Sequence, residues 1–223
     1  AVTWPQIYAV VDVDACARAG RAPLAVADAF LGAGVSLIQV RAKAMASADL
    51  LRLSADVVAR AGTAARIIIN DRADIAVLSG AAGVHVGQDD LCVGDVRRLV
   101  GEHAIVGLST HSVAQAEAAL RLPVSYVAIG PVLGTTTKDT GYPAVGLEMV
   151  AQVAARAGPR AVPVVAIGGI TLDRARDVLA AGASSVCVIS DLLRGDPAVR
   201  AREYVAALGH WPPGVKDVGW PQP

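Results

Sequence analysis

The stretch Ile7-Tyr8-Ala9-Val10-Val11-Asp12-Val13-Asp14-Ala15-Cys16 decides the fold class. Its first five residues form an apolar run rich in β-branched side chains, as expected of a strand buried on both faces. The residues directly after the run separate two architectures. An open doubly wound sheet that binds a dinucleotide needs G-x-G-x-x-G directly after its first strand. Here aspartate, valine and aspartate stand there instead, which favours a closed barrel.

Seven more runs of the same kind occur at Leu37 to Val40, Arg66 to Asn70, Gly83 to Val86, Ala104 to Ser109, Tyr126 to Ile129, Val164 to Ile167 and Ser185 to Ile189. Between them lie segments with helical spacing, such as Leu24, Ala27, Phe30 and Leu31, or Leu50, Leu53, Val57 and Val58. Ser47 and Thr171 read as N-caps, with Asp49 and Asp173 in the first turns, and Gly34, Gly62 and Gly182 read as helix stops. Strands alternating with helices pair in parallel through right-handed crossovers. Eight such units predict an α/β protein with a single (β/α)8 TIM barrel over residues 1–208. Residues 209–223, crowded with proline and glycine, are expected to be an irregular tail.

Composition narrows the function. Of 223 residues, 54% are hydrophobic but only 4% aromatic, so the core must be aliphatic. Twenty basic and twenty acidic residues cancel, and no basic stripe suggests nucleic acid as a partner. Cys16, Cys92 and Cys187 are far apart and lack CxxC spacing, which favours neither a disulfide framework nor a zinc site. No apolar run reaches the roughly 18 residues that span a bilayer, and the first residues lack a signal-peptide layout. A soluble, cytoplasmic protein without membrane partners is expected.

In such barrels the chemistry collects at the carboxyl ends of the strands. After the second run, alternation puts Gln39, Arg41 and Lys43 on one face, two cations and an amide suited to a phosphate. Asn70-Asp71 and Gly87-Gln88-Asp89-Asp90 come after runs three and four. Carboxylates on neighbouring strand ends can converge on magnesium, although helix capping is the ordinary alternative for Asp71 and Asp89. Ser109-Thr110-His111 closes run five, and a long polar loop from Gly130 to Gly141, suited to a lid, comes after run six. Gly168-Gly169 and Ile189-Ser190 occupy the usual backbone phosphate cradle of loops seven and eight. Two anion sites on one rim imply two phosphorylated substrates. His85 and His111 are placed to act as bases, but lone histidines beside glycine turns are more often structural. His103 and His210 read as surface residues.

Taken in order, Gln39-Val40-Arg41-Ala42-Lys43, Asn70-Asp71, His85 to Asp90, Gly107-Leu108-Ser109, Gly130-Pro131 to Thr137-Lys138, and Ile167-Gly168-Gly169-Ile170 resemble the thiamine-phosphate synthase family. The likeness runs from about Tyr8 to about Leu208. It implies condensation of 4-amino-2-methyl-5-hydroxymethylpyrimidine diphosphate with 4-methyl-5-(2-phosphoethyl)thiazole, giving thiamine monophosphate and pyrophosphate by a dissociative step. It implies one Mg²⁺ on Asp71 and Asp90, with Asp89 at a more variable acidic position. Gln39, Val40, Arg41, Ala42, Lys43, Asn70, Ser109 and Lys138 match pyrimidine-diphosphate positions. Thr135, Thr136, Thr137, Gly169, Ile189 and Ser190 match the thiazole-phosphate site. Arg41, Lys43, Ser109 and Lys138 are the expected catalytic residues, with Ser109 orienting the pyrimidine amino group and not attacking it. Val40 replaces a common leucine, and Gly134 and Thr136 vary within the loop. Two rivals are weighed: a thiazole tautomerase on the same barrel, against which the presence together of Arg41, Lys43, Asp90 and Lys138 argues, and a non-catalytic sensor of thiamine intermediates, which the sequence leaves open. Assembly into a homo-oligomer is also left open.

Overall fold

Eight strands form where the apolar runs stand: β1 Ile7–Asp12, β2 Leu37–Arg41, β3 Arg66–Asn70, β4 Gly83–Val86, β5 Ile105–Thr110, β6 Tyr126–Ile129, β7 Val164–Ile167 and β8 Ser185–Val188. The computed structural model describes residues 4–134 and 143–209. Every strand pairs in parallel with its sequence neighbour, and β1 pairs with β8, so the sheet closes as a (β/α)8 barrel. Nine helices surround it among the described residues: α1 Val13–Arg18, α2 Pro23–Gly32, α3 Ser47–Ala61, α4 Ala73–Ser79, α5 Val93–Val100, α6 Val113–Ala119, α7 Gly146–Ala157, α8 Leu172–Ala180 and α9 Pro197–Leu208. None is long and apolar enough to cross a membrane.

Strand alternation sorts the side chains into two cores. Ala9, Val11, Ile38, Val40, Ile67 and Ile69 point outward and pack with Phe30 of α2 and Val57 of α3. Tyr8, Val10, Leu37, Ile68, Tyr126 and Val165 point inward and fill the barrel. Gly107 and Tyr126 face each other across β5 and β6. A Cβ on Gly107 would come within 2.1 Å of the Tyr126 ring, so glycine there makes room for a large aromatic inside the barrel.

One local expectation changes, at Ser47, and two details are added, at α1 and Thr171. Helix α1 is unanticipated; it starts directly after β1, where the Asp12 carboxylate accepts the Ala15 N–H at 2.8 Å. Ser47 is not an N-cap, because Ala46 holds that position and the Ser47 hydroxyl accepts from Arg72 instead. Thr171 does cap α8, but its hydroxyl bonds the Asp173 side chain. Gly34, Gly62 and Gly182 come after their helices with positive φ, as stops do. His103 is exposed, and His210 lies outside the described residues.

Candidate active site

The carboxyl ends of the strands surround one pocket of about 410 Å³. Ten of the residues expected at the site line it: Gln39, Arg41, Lys43, Asn70, Asp71, Asp90, Ser109, Gly169, Ile189 and Ser190. Asp89 and His111 line it as well. Val40 and Ala42 do not, since alternation turns their side chains into the core beneath the helices. Only their main chain remains for a ligand. Thr135, Thr136, Thr137 and Lys138 lie outside the described residues.

Arg41 ends β2 directly beside Asp12, its register partner on β1. Its Nη1 donates to Asp12 Oδ2 at 2.5 Å, and the Asp12 side chain is only 3% exposed. One buried carboxylate thus caps α1 and anchors the guanidinium. Arg41 Nε is buried and has no hydrogen-bond partner among the described residues.

Asp71 leaves β3 with φ of 64°, a left-handed backbone that aspartate tolerates better than most residues. Its N–H donates to the His85 carbonyl at 2.7 Å, tying the turn to β4. This conformation brings the carboxylate to Lys43 Nζ on one side and to Asp90 on the other. Burial pushes the Asp71 carboxyl above its ordinary range, Lys43 opposes the rise, and Asp90 adds to it. Asp90 is held by its own loop, with Oδ2 accepting the Gly87 N–H at 2.7 Å. Neither Asp71 nor Asp89 caps a helix, because Arg72 and Cys92 hold those positions.

Below this charged rim runs a polar chain. Gln39 Nε2 donates to Tyr8 Oη at 2.9 Å, and Tyr8 Oη lies 3.1 Å from Tyr126 Oη. Tyr126 Oη meets His85 Nδ1 at 2.8 Å, and His85 Nε2 meets Ser109 Oγ at 2.8 Å. Burial pushes both phenols far above their ordinary range, so both stay protonated. In the sequence these tyrosines show only as parts of apolar runs. Their signal is the inward register of both, with Gly107 opposite Tyr126.

On the other side of the pocket, Gly168 and Gly169 have φ of 102° and 66°. A Cβ on Gly169 would lie 2.3 Å from the Gly134 carbonyl oxygen. The loop after β6 is stitched to this turn, Val132 N–H donating to Ile167 O at 2.8 Å and Leu133 N–H to Gly168 O at 3.0 Å. Next to Ser190, the buried Asp191 accepts from Tyr204 Oη at 2.7 Å, Arg200 Nη2 at 2.8 Å and the Leu172 N–H at 3.3 Å. Helices α8 and α9 are thereby fixed to the loop after β8. Asp12 and Asp191, neither expected at the site, are the carboxylates that brace it.

Comparison with known proteins identifies the family. Residues 7–192 match the family model described as thiamine monophosphate synthase. A thiamine-phosphate synthase from Acidothermus cellulolyticus is 46% identical over 200 residues, covering 88% of this chain and 92% of that one. Another, from Koribacter versatilis, is 39% identical and covers 92% and 96%. A solved thiamine phosphate pyrophosphorylase from Pyrococcus furiosus shares the fold with a TM-score of 0.81 at 24% identity, covering 92% of this chain and 95% of that one. With its fold and its sequence in agreement, this chain belongs to the thiamine monophosphate synthase family, transferases of thiamine biosynthesis.

Proposed function

We propose that the pocket joins 4-amino-2-methyl-5-hydroxymethylpyrimidine diphosphate to 4-methyl-5-(2-phosphoethyl)thiazole, releasing pyrophosphate. One observation carries the reading: Arg41, Lys43, Asp71 and Asp90, from three successive strand ends, line one pocket. Two cations and a pair of carboxylates suit a metal-bound diphosphate and exceed what a thiazole tautomerase needs.

Asp71 and Asp90 fit magnesium. Asp90 opposes the ionisation of the Asp71 carboxyl, which a cation between them would relieve. Among the described residues no group of three or more His, Cys, Asp or Glu could hold a metal. Two carboxylates suffice, because magnesium keeps its other positions for water and phosphate. When bound, the ion supplies positive charge to the diphosphate oxygens.

The remaining work falls to the chain. The bond between the pyrimidine methylene carbon and the diphosphate oxygen breaks, its electron pair leaving with pyrophosphate. The electron-rich aminopyrimidine stabilises the cationic carbon. Arg41, held by Asp12, and Lys43 stabilise the growing charge on the leaving group, together with Lys138 from the loop after β6. The thiazole nitrogen then donates its lone pair to the carbon, so no general base is required. Ser109 positions the pyrimidine. Gly169, Ile189 and Ser190 offer main-chain N–H groups to the thiazole phosphate, and Thr135, Thr136 and Thr137 complete that side.

Mixing both substrates with Mg²⁺ and the purified chain tests the proposal. Stoichiometric thiamine monophosphate and pyrophosphate are expected. Binding without turnover would replace the reading with that of a sensor.

A further inference from the structure

The protons of the buried chain beneath the rim have a single consistent arrangement. Tyr8 is 1% exposed, and its oxygen accepts from Gln39 Nε2. If Tyr126 also donated to Tyr8, the Tyr8 proton would be left buried without an acceptor. Tyr8 therefore donates to Tyr126, and the Tyr126 proton goes to His85 Nδ1. With Nδ1 an acceptor, a neutral imidazole carries its hydrogen on Nε2 and donates it to Ser109 Oγ. Ser109 has then used one lone pair, and its own hydrogen turns away from His85.

We propose that Tyr8, Tyr126 and His85 form a one-way hydrogen-bond relay that fixes the Nε2–H tautomer of His85 and presents the Ser109 hydroxyl proton to the bound pyrimidine. An aminopyrimidine carries an acceptor ring nitrogen beside its amino group. A serine whose proton points outward recognises that nitrogen, and its second lone pair stays open to the amino hydrogens. In this proposal the three residues act on the pyrimidine through Ser109, which makes them positioning residues. His85 also stacks on the Tyr126 ring, with centroids 5.5 Å apart and planes at 16°, which limits rotation of the imidazole. Gly107 leaves the space that the Tyr126 ring occupies. The inference rests on the proposed reaction for the identity of the ligand, but not for the direction of the bonds.

The test has two arms. In ¹⁵N-histidine-labelled, ligand-free protein at neutral pH, His85 is expected to show the neutral Nε2–H pattern, assigned by its loss in His85→Gln. An Nδ1–H or imidazolium pattern overturns the relay whatever the activity. In the second arm, Tyr126→Phe is expected to lower kcat about tenfold with KM for the pyrimidine diphosphate within about twofold. His85→Gln, which keeps an amide donor near the Nε2 position, should retain clearly more turnover than His85→Leu. Equal turnover of the two His85 variants, or full kcat in Tyr126→Phe, also overturns it. If the wild-type chain forms no thiamine monophosphate, the proposed reaction falls while the spectra still decide the relay.

Discussion

The carboxyl of Asp71 faces that of Asp90 across the mouth of the barrel, with Lys43 on its other side. The two acids come from consecutive strand ends, and the left-handed turn at Asp71 helps bring them together.

Asp71→Asn is expected to reduce turnover by about a hundredfold or more, because it weakens the hold on the cation that would stabilise charge on the leaving group. Asparagine tolerates a φ of 64° as aspartate does, so the fold should survive. Pyrophosphate release and circular dichroism, measured together, check both halves. Normal release from the variant would remove Asp71 from the site.

Burial raises the Asp71 carboxyl, so the folded chain holds that proton more tightly than the unfolded chain. Stability from this group is complete below the ordinary aspartate value of about 3.9 and is lost as pH rises through the raised folded value. At neutral pH an ionised Asp71 carboxylate is a strain on the fold, which a divalent cation would offset. Added Mg²⁺ should therefore raise Tm more at about pH 7.5 than at about pH 5. Thermal scans at both pH values measure it; an equal shift would contradict the coupling.

Asp12→Asn keeps an acceptor for the Ala15 N–H but removes the charge that anchors Arg41. We expect kcat/KM for the pyrimidine diphosphate to fall about tenfold, with α1 intact. Steady-state kinetics would show it. An unchanged value would mean that Arg41 is held by other contacts once substrate is bound.

How much of this could be read in the sequence depended on what each residue needed to reveal itself. The strands were legible because burial on both faces writes them as unbroken apolar runs, and each lies within one residue of its run at either end. Arg41, Lys43, Asp71 and Asp90 were legible because charges within four residues after successive runs gather at the rim where a barrel's pocket opens. Tyr8 and Tyr126 were not, since a tyrosine in an apolar run looks like core. Their hydroxyls meet across 118 residues of chain only once the barrel closes. Asp12 was seen only as a missing glycine, and its bond to Arg41 depends on the register of β1 and β2. Helix α1 has six residues and joins its strand without a loop, leaving no boundary to detect.

Asp191→Ala leaves Arg200 and Tyr204 without their shared carboxylate and frees the start of α8. Loss of about 3 kcal/mol is expected, as when one partner of a buried ion pair is removed. Urea denaturation would measure it. KM for the thiazole phosphate should rise as well, because the loop at Ser190 is no longer pinned.

The 2.7 Å bond from the Asp71 N–H to the His85 carbonyl makes the left-handed turn and the imidazole parts of a single backbone unit. Lengthening or shortening either strand end by one residue would displace a carboxylate and a histidine at the same moment. Change in this corner of the barrel is thus confined to exchanging side chains at a fixed chain length.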